Sequence, residues 1–174
     1  MNKTSKDILG KNLEKLQSLR KSFAFAFSGI AFCIRYERNM RIHIVMLLYV
    51  MFTAIVFYDL TRAEFLILIL TCTSVISLEV VNTAIEVLTD KTCPERSALA
   101  KVAKDAAAGA VLLAALTAII VGVVLFWDME VFGRIVNYFA TNILSSIALI
   151  LSVVLSLMFI FTGKERRKRG KYRK

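Results

Sequence analysis

Residues 65–90 read FLILILTCTSVISLEVVNTAIEVLTD, an apolar block whose second half carries Glu79, Asn82, Glu86 and Asp90. The block is long enough to cross the roughly 30 Å hydrocarbon core of a bilayer as a helix. At 100° per residue, Glu86 lies about 20° from Glu79 around the axis, Asp90 about 20° to the other side, and Asn82 about 60° away. All four polar groups therefore share one helical face. With a rise of about 1.5 Å per residue, the row runs roughly 16 Å from Glu79 to Asp90, from inside the membrane to its boundary. A carboxylate at that depth costs several kcal/mol unless it is paired, protonated or solvated in a cavity, so such an acid is by default a functional residue.

Outward from this stretch, similar apolar blocks run from Ile42 to Tyr58, Ala106 to Trp127 and Ile143 to Thr162, beside Phe65 to Leu88 itself. Each is of spanning length. The whole chain of 174 residues is 57% hydrophobic, has one proline and carries a net charge of +10. Soluble domains are about 45–50% apolar, and here the excess is gathered into blocks. This excludes a soluble globular enzyme and a disordered chain. The basic residues flank the spans, the pattern of a membrane protein's cytoplasmic side rather than of nucleic-acid binding. No nucleic-acid partner is expected.

Lys and Arg number nine in Met1 to Arg41, one in Thr61 to Glu64, four in Thr89 to Asp105, one in Asp128 to Asn142 and eight in Gly163 to Lys174. This alternation places both termini and the central loop in the cytoplasm, and it requires an even number of spans. Ahead of the first span, Leu16, Phe23, Phe27, Ile30 and Ile34 form an apolar stripe from about Leu13 to Tyr36, interleaved with Lys15, Arg20, Lys21 and Arg35. The stripe predicts an amphipathic helix that lies along the anionic membrane surface or packs on the chain's own bundle. The expected fold is thus all-α integral membrane, an N-terminal surface helix plus four transmembrane helices. Its divisions are residues 1–41, a three-span core over 42–127, and a fourth span with a basic tail over 128–174. The tail KERRKRGKYRK reads as a solvated topology anchor. No signal peptide is expected from the charged start of the chain.

Cys33, Cys72 and Cys93 form no C-x-x-C pair and no cluster with the single histidine, His43, so no zinc-type site is expected. Phosphate-binding glycine loops and a Ser-His-Asp set are absent as well. What remains is a gathering of charge on one membrane face. Glu37, Arg38, Asn39 and Arg41 precede the first span, and Lys101, Lys104 and Asp105 precede the third. Acids able to hold a hard divalent cation beside bases able to hold phosphate oxygens point to a metal-bound phosphate. Magnesium takes one or two protein carboxylates and shares the rest of its shell with phosphate and water, which suits Glu37 and Glu86. A buried carboxylate could also accept the proton of an attacking lipid hydroxyl. Two other readings stay open: a proton-coupled transporter using Glu79 as carrier acid, and a noncatalytic scaffold recruiting partners through its tail.

The segments EVVNTAIEVLTD (Glu79–Asp90), AKDAAAGAVLL (Ala103–Leu113) and ERNMRIH (Glu37–His43), with their spacing, resemble the small bacterial diacylglycerol kinase and undecaprenol kinase family over roughly Ser22 to Trp127. The resemblance implies a homotrimeric lipid kinase of the bacterial inner membrane, with three spans and a surface helix in its core and active sites between subunits facing the cytoplasm. It implies transfer of the γ-phosphate of ATP, with Mg2+, to a lipid hydroxyl. By matching position, Glu79 is the expected catalytic base, Glu37 and Glu86 the magnesium-associated carboxylates, and Asn82, Glu95, Lys104 and Asp105 further nucleotide contacts. The family's nucleotide-contacting arginine falls near Ser18, with Arg20 close by, and its aromatic contact near Phe25. The fourth span and basic tail lie outside the shared core. The forms AKDAAAGAVLL and ERNMRIH are more similar to the undecaprenol branch, with diacylglycerol the alternative substrate.

Overall fold

The computed structural model describes residues 3–93 and 97–163, with side chains from Gln17 onward. Glu95, the basic tail beyond Gly163, and the Lys15 and Leu16 side chains lie outside the described residues. Among the described residues six helices are formed: α1 (Lys3–Tyr36), α2 (Arg38–Phe57), α3 (Arg62–Thr92), α4 (Ala98–Phe126), α5 (Met129–Thr141) and α6 (Ile143–Phe161). Four of them, α2, α3, α4 and α6, are long and apolar enough to cross a membrane, in agreement with the four blocks read from the sequence.

Local chemistry sets the helix ends. The Thr61 hydroxyl accepts from the Glu64 N–H at 3.3 Å while the Glu64 carboxylate accepts from the Thr61 N–H at 2.8 Å. This reciprocal box satisfies two otherwise orphaned donors and starts α3. At the other end the Cys93 N–H donates to the Thr89 carbonyl at 3.0 Å, and the chain's single proline, Pro94, comes next in sequence. Proline has no N–H and disfavours helix in the residue before it, so the helix stops. With 31 residues α3 is about 46 Å long, more than the hydrocarbon core requires. Its surplus turns carry Glu86 and Asp90, and the first turns of α4 carry Lys101, Lys104 and Asp105.

The segment read as a simple connection between the third and fourth spans folds as α5. Asp128 caps it, its carboxylate accepting from the N–H groups of Glu130 at 2.8 Å and Val131 at 3.1 Å. Val131, Ile135 and Phe139 then recur every four residues on the face turned inward. Phe57 at the end of α2 meets Tyr138 edge-on at 5.5 Å and Phe139 at 6.0 Å, which anchors the short helix. At the same end the Tyr58 hydroxyl donates to the Phe126 carbonyl at 2.7 Å.

Successive spans run antiparallel. α3 and α4 pair along their length, α2 packs on α3, and α6 packs on α2, while α3 is the one helix among the described residues that packs along α4. The end of α1 docks where α2 and α3 meet. Cys33, Met40, Val75, Glu79 and Thr83 are buried there, Met40 completely. Farther back along α1, Phe23, Phe27 and Ile30 stand exposed while Ile34 is half-buried, so among the described residues the bundle covers only the last turn of the stripe read from the sequence. Between apolar helices in lipid, packing and hydrogen bonds replace the hydrophobic drive. The α2–α6 contact has both: the Tyr49 hydroxyl lies 2.9 Å from that of Ser152 and 3.3 Å from that of Ser156.

Candidate functional site

The break between α1 and α2 is a single residue. Glu37 is extended, with φ −103° and ψ 120°, and its N–H donates back to the Cys33 carbonyl at 2.8 Å. The elbow holds the half-buried Glu37 over the acid row of α3. On α3, Glu79 is 2% exposed, Asn82 and Thr83 are also buried, and Glu86 is half-buried. The carboxylates of Glu37 and Glu86 both act through space on that of Glu79. Three acids from two elements thus converge beside one buried amide.

Like charges held together in an apolar setting are unfavourable unless a proton or a cation intervenes. No group of three or more His, Cys, Asp or Glu among the described residues is placed to hold a metal ion by itself. An open site is the arrangement a magnesium ion shared with phosphate needs. The Asn82 side-chain oxygen fits that picture, because it is buried with no hydrogen-bond partner among the described residues and so offers a free acceptor beside the acids.

Of the remaining sequence candidates, Lys104 is drawn to Asp90, with which it forms an ion pair across the α3–α4 hairpin. Exposed pairs of this kind contribute about 0–1 kcal/mol, so an incoming anion can displace Asp90. Asp105 and Lys101 are exposed on the first turns of α4. Arg38 and Arg41, read as part of the same charged cluster, turn away from the acid row toward the end of α6.

Two residues of the site escaped the sequence reading. Thr83 follows Glu79 by four, and its hydroxyl donates to the Glu79 carbonyl at 2.9 Å. Its i+4 spacing was visible, but a search for ionisable groups passes over a hydroxyl. Cys33 reads as bland in sequence, yet α1 places it against the acids. Burial pushes its thiol above the ordinary value, the Thr83 hydroxyl draws it partly back, and the charges of Glu37 and Glu79 push it further up. A raised thiol holds less of the reactive thiolate at neutral pH. A hydrophilic maleimide is therefore expected to label the exposed Cys93 readily and to leave Cys33 untouched until the protein is denatured, which mass spectrometry of the labelled peptides checks.

A family model described as prokaryotic diacylglycerol kinase matches residues 24–126. The chain belongs to the prokaryotic diacylglycerol kinase family. Among curated relatives, the chain is 42% identical over 106 residues to a diacylglycerol kinase of Synechocystis, a match covering 60% of this chain and 60% of that protein. It is 38% identical over 112 residues to an undecaprenol kinase of Bacillus subtilis, covering 64% of this chain and 90% of the relative. No solved structure matches the chain. The family region runs from within α1 to the last residue of α4 and holds Glu37, Glu79, Asn82, Glu86, Glu95, Lys104 and Asp105. Helices α5 and α6 lie beyond it.

Proposed function

We propose that this chain is an ATP- and magnesium-dependent lipid kinase that phosphorylates a membrane lipid hydroxyl, undecaprenol by preference. The observation that carries this reading is the convergence of Glu37 and Glu86 on the buried Glu79 at one end of an apolar bundle. The two relatives reported above, named for diacylglycerol and for undecaprenol, support the same reaction class.

In the proposed step the lipid hydroxyl oxygen attacks the γ-phosphorus of ATP, the bond to the ADP oxygen breaks, and Glu79 takes the hydroxyl proton. Burial suits Glu79 to that task, since it keeps competing bulk water away from the oxygen that accepts the lipid's proton. Glu37 and Glu86 hold the magnesium ion, whose charge neutralises the transferring phosphoryl group. Asn82 orients a neighbouring oxygen or the nucleotide. Lys104, released from Asp90, takes a phosphate oxygen, with Asp105 and Glu95 as further nucleotide contacts. The lipid reaches the base laterally from the bilayer, and ATP arrives from the water beyond the ends of α3 and α4.

The proposed setting is the bacterial inner membrane, with both termini and the site on the cytoplasmic side, where ATP is found. The proposed assembly is a homotrimer. Its support is that, among the described residues, α3 is the one helix packed along α4, which leaves Leu112, Leu116, Ile119 and Val123 uncovered for a neighbouring subunit.

Purified protein given labelled ATP, Mg2+ and either undecaprenol or diacylglycerol tests the reading. Faster transfer to undecaprenol is expected. Preference for diacylglycerol would assign the other substrate, and transfer to neither would remove the kinase reading.

A further inference from the structure

We propose that Arg41 is a positioning residue through which α6, a helix outside the family region, sets the placement of Glu37. The inference rests on the magnesium role proposed above for Glu37 and extends it to the fourth span.

Arg41 is 4% exposed, and among the described residues it forms no ion pair with a carboxylate. Its guanidinium is held by carbonyls instead. Nη1 donates to the Phe159 carbonyl at 3.0 Å, and Nε donates to the Glu37 carbonyl at 3.3 Å. Phe159 lies in the last turn of α6, where carbonyls have lost their intrahelical donors and the helix dipole attracts a cation. One planar fork therefore ties the end of α6 to the residue that makes the α1–α2 elbow.

The seat is shaped for this fork. Gly163 runs so close to the guanidinium that a Cβ added there would collide with it. Arg38 stacks over the Phe161 ring at 4.8 Å. Further along, Tyr49 meets Ser152 and Ser156. Contacts at these levels fix both the height and the rotation of α6 against α2, so the Phe159 carbonyl arrives at one place. Glu37 has no helix of its own, being the single extended residue between two helices. Its N–H is tied back to Cys33, and Arg41 holds its carbonyl.

A cap that merely steadied α6 would change thermal stability and nothing else. A positioning role changes metal binding. The probe is Mn2+ with a nonhydrolysable ATP analogue, titrated by electron paramagnetic resonance on the full chain in detergent. Arg41→Lys keeps the charge and loses the fork, and Gly163→Val displaces the guanidinium without altering it chemically. Each is expected to raise the Mn2+ dissociation constant about 10-fold or more, the usual consequence of disturbing a group that orients a metal ligand. The KM for the lipid is expected to stay unchanged. Glu37→Gln is the reference. If it weakens Mn2+ binding while both other variants bind like the wild type, the positioning role is wrong and the metal role of Glu37 stands. If Glu37→Gln itself binds Mn2+ normally, the metal role fails and this inference with it. Loss of Mn2+ binding accompanied by an equal rise in lipid KM would also overturn it, since that pattern is general loosening of the bundle.

Discussion

Glu79→Gln is expected to lower phosphoryl transfer about 10²–10⁴-fold, the usual contribution of a general base. The substitution keeps the volume and shape of the side chain, and it replaces a proton acceptor by an amide that cannot take the proton. It also removes a carboxylate on which those of Glu37 and Glu86 act through space. Relief of that repulsion predicts an unfolding temperature in detergent equal to or above that of the wild type. Lost turnover with undiminished stability is therefore the signature to look for, by radiolabelled lipid product and thermal unfolding on the same preparation. Turnover at the normal rate would end the assignment of Glu79 as base.

Glu86→Gln is expected to raise the magnesium concentration needed for half-maximal activity about 10–100-fold, with the maximal rate partly restored at high magnesium. Glu86 is half-buried, seven residues beyond Glu79 on α3 and nearer the water. An amide retains one oxygen ligand and loses the charge, so affinity for a hard cation falls before the chemistry does. The contrast with Glu79→Gln lies in the rescue, because no cation concentration restores a missing base. An unchanged magnesium response would take Glu86 out of the metal role.

Much of the site was legible before any tertiary structure, because it rests on a single helix. The 3.6-residue period alone puts Glu79, Asn82, Glu86 and Asp90 on one face, and the burial of Glu79 and Asn82 agrees with that face turning inward. Glu37 could be named as a candidate but not placed, since its approach to Glu79 depends on an elbow one residue wide between α1 and α2. The ion pair of Lys104 with Asp90 spans 14 positions across a hairpin. Local periodicity carries no information about which residues a hairpin brings opposite each other.

The arginines of the segment ERNMRIH make the same point more strongly. As sequence, Arg38 and Arg41 belong with Glu37 in one charged cluster near a phosphate. In the fold they face α6, and one of the two carbonyls that hold Arg41, that of Phe159, lies 118 positions away. Helix α5 escaped for another reason. At 13 residues it is too short to register as a span, and its inward face is covered only once Phe57 and α6 pack against it.

The amino-acid order by itself determined the solvent of this protein, the number of its spans and the acid-bearing helix, because transfer of about 20 apolar residues into lipid and the angular period of a helix are local properties of the chain. Only the tertiary structure decided which acids meet, which base pairs with Asp90, and that the fourth span reaches back to hold the Glu37 elbow. Those outcomes depend on how helices far apart in sequence pack side by side, and in lipid that choice is made by a few hydrogen bonds and close contacts rather than by hydrophobicity.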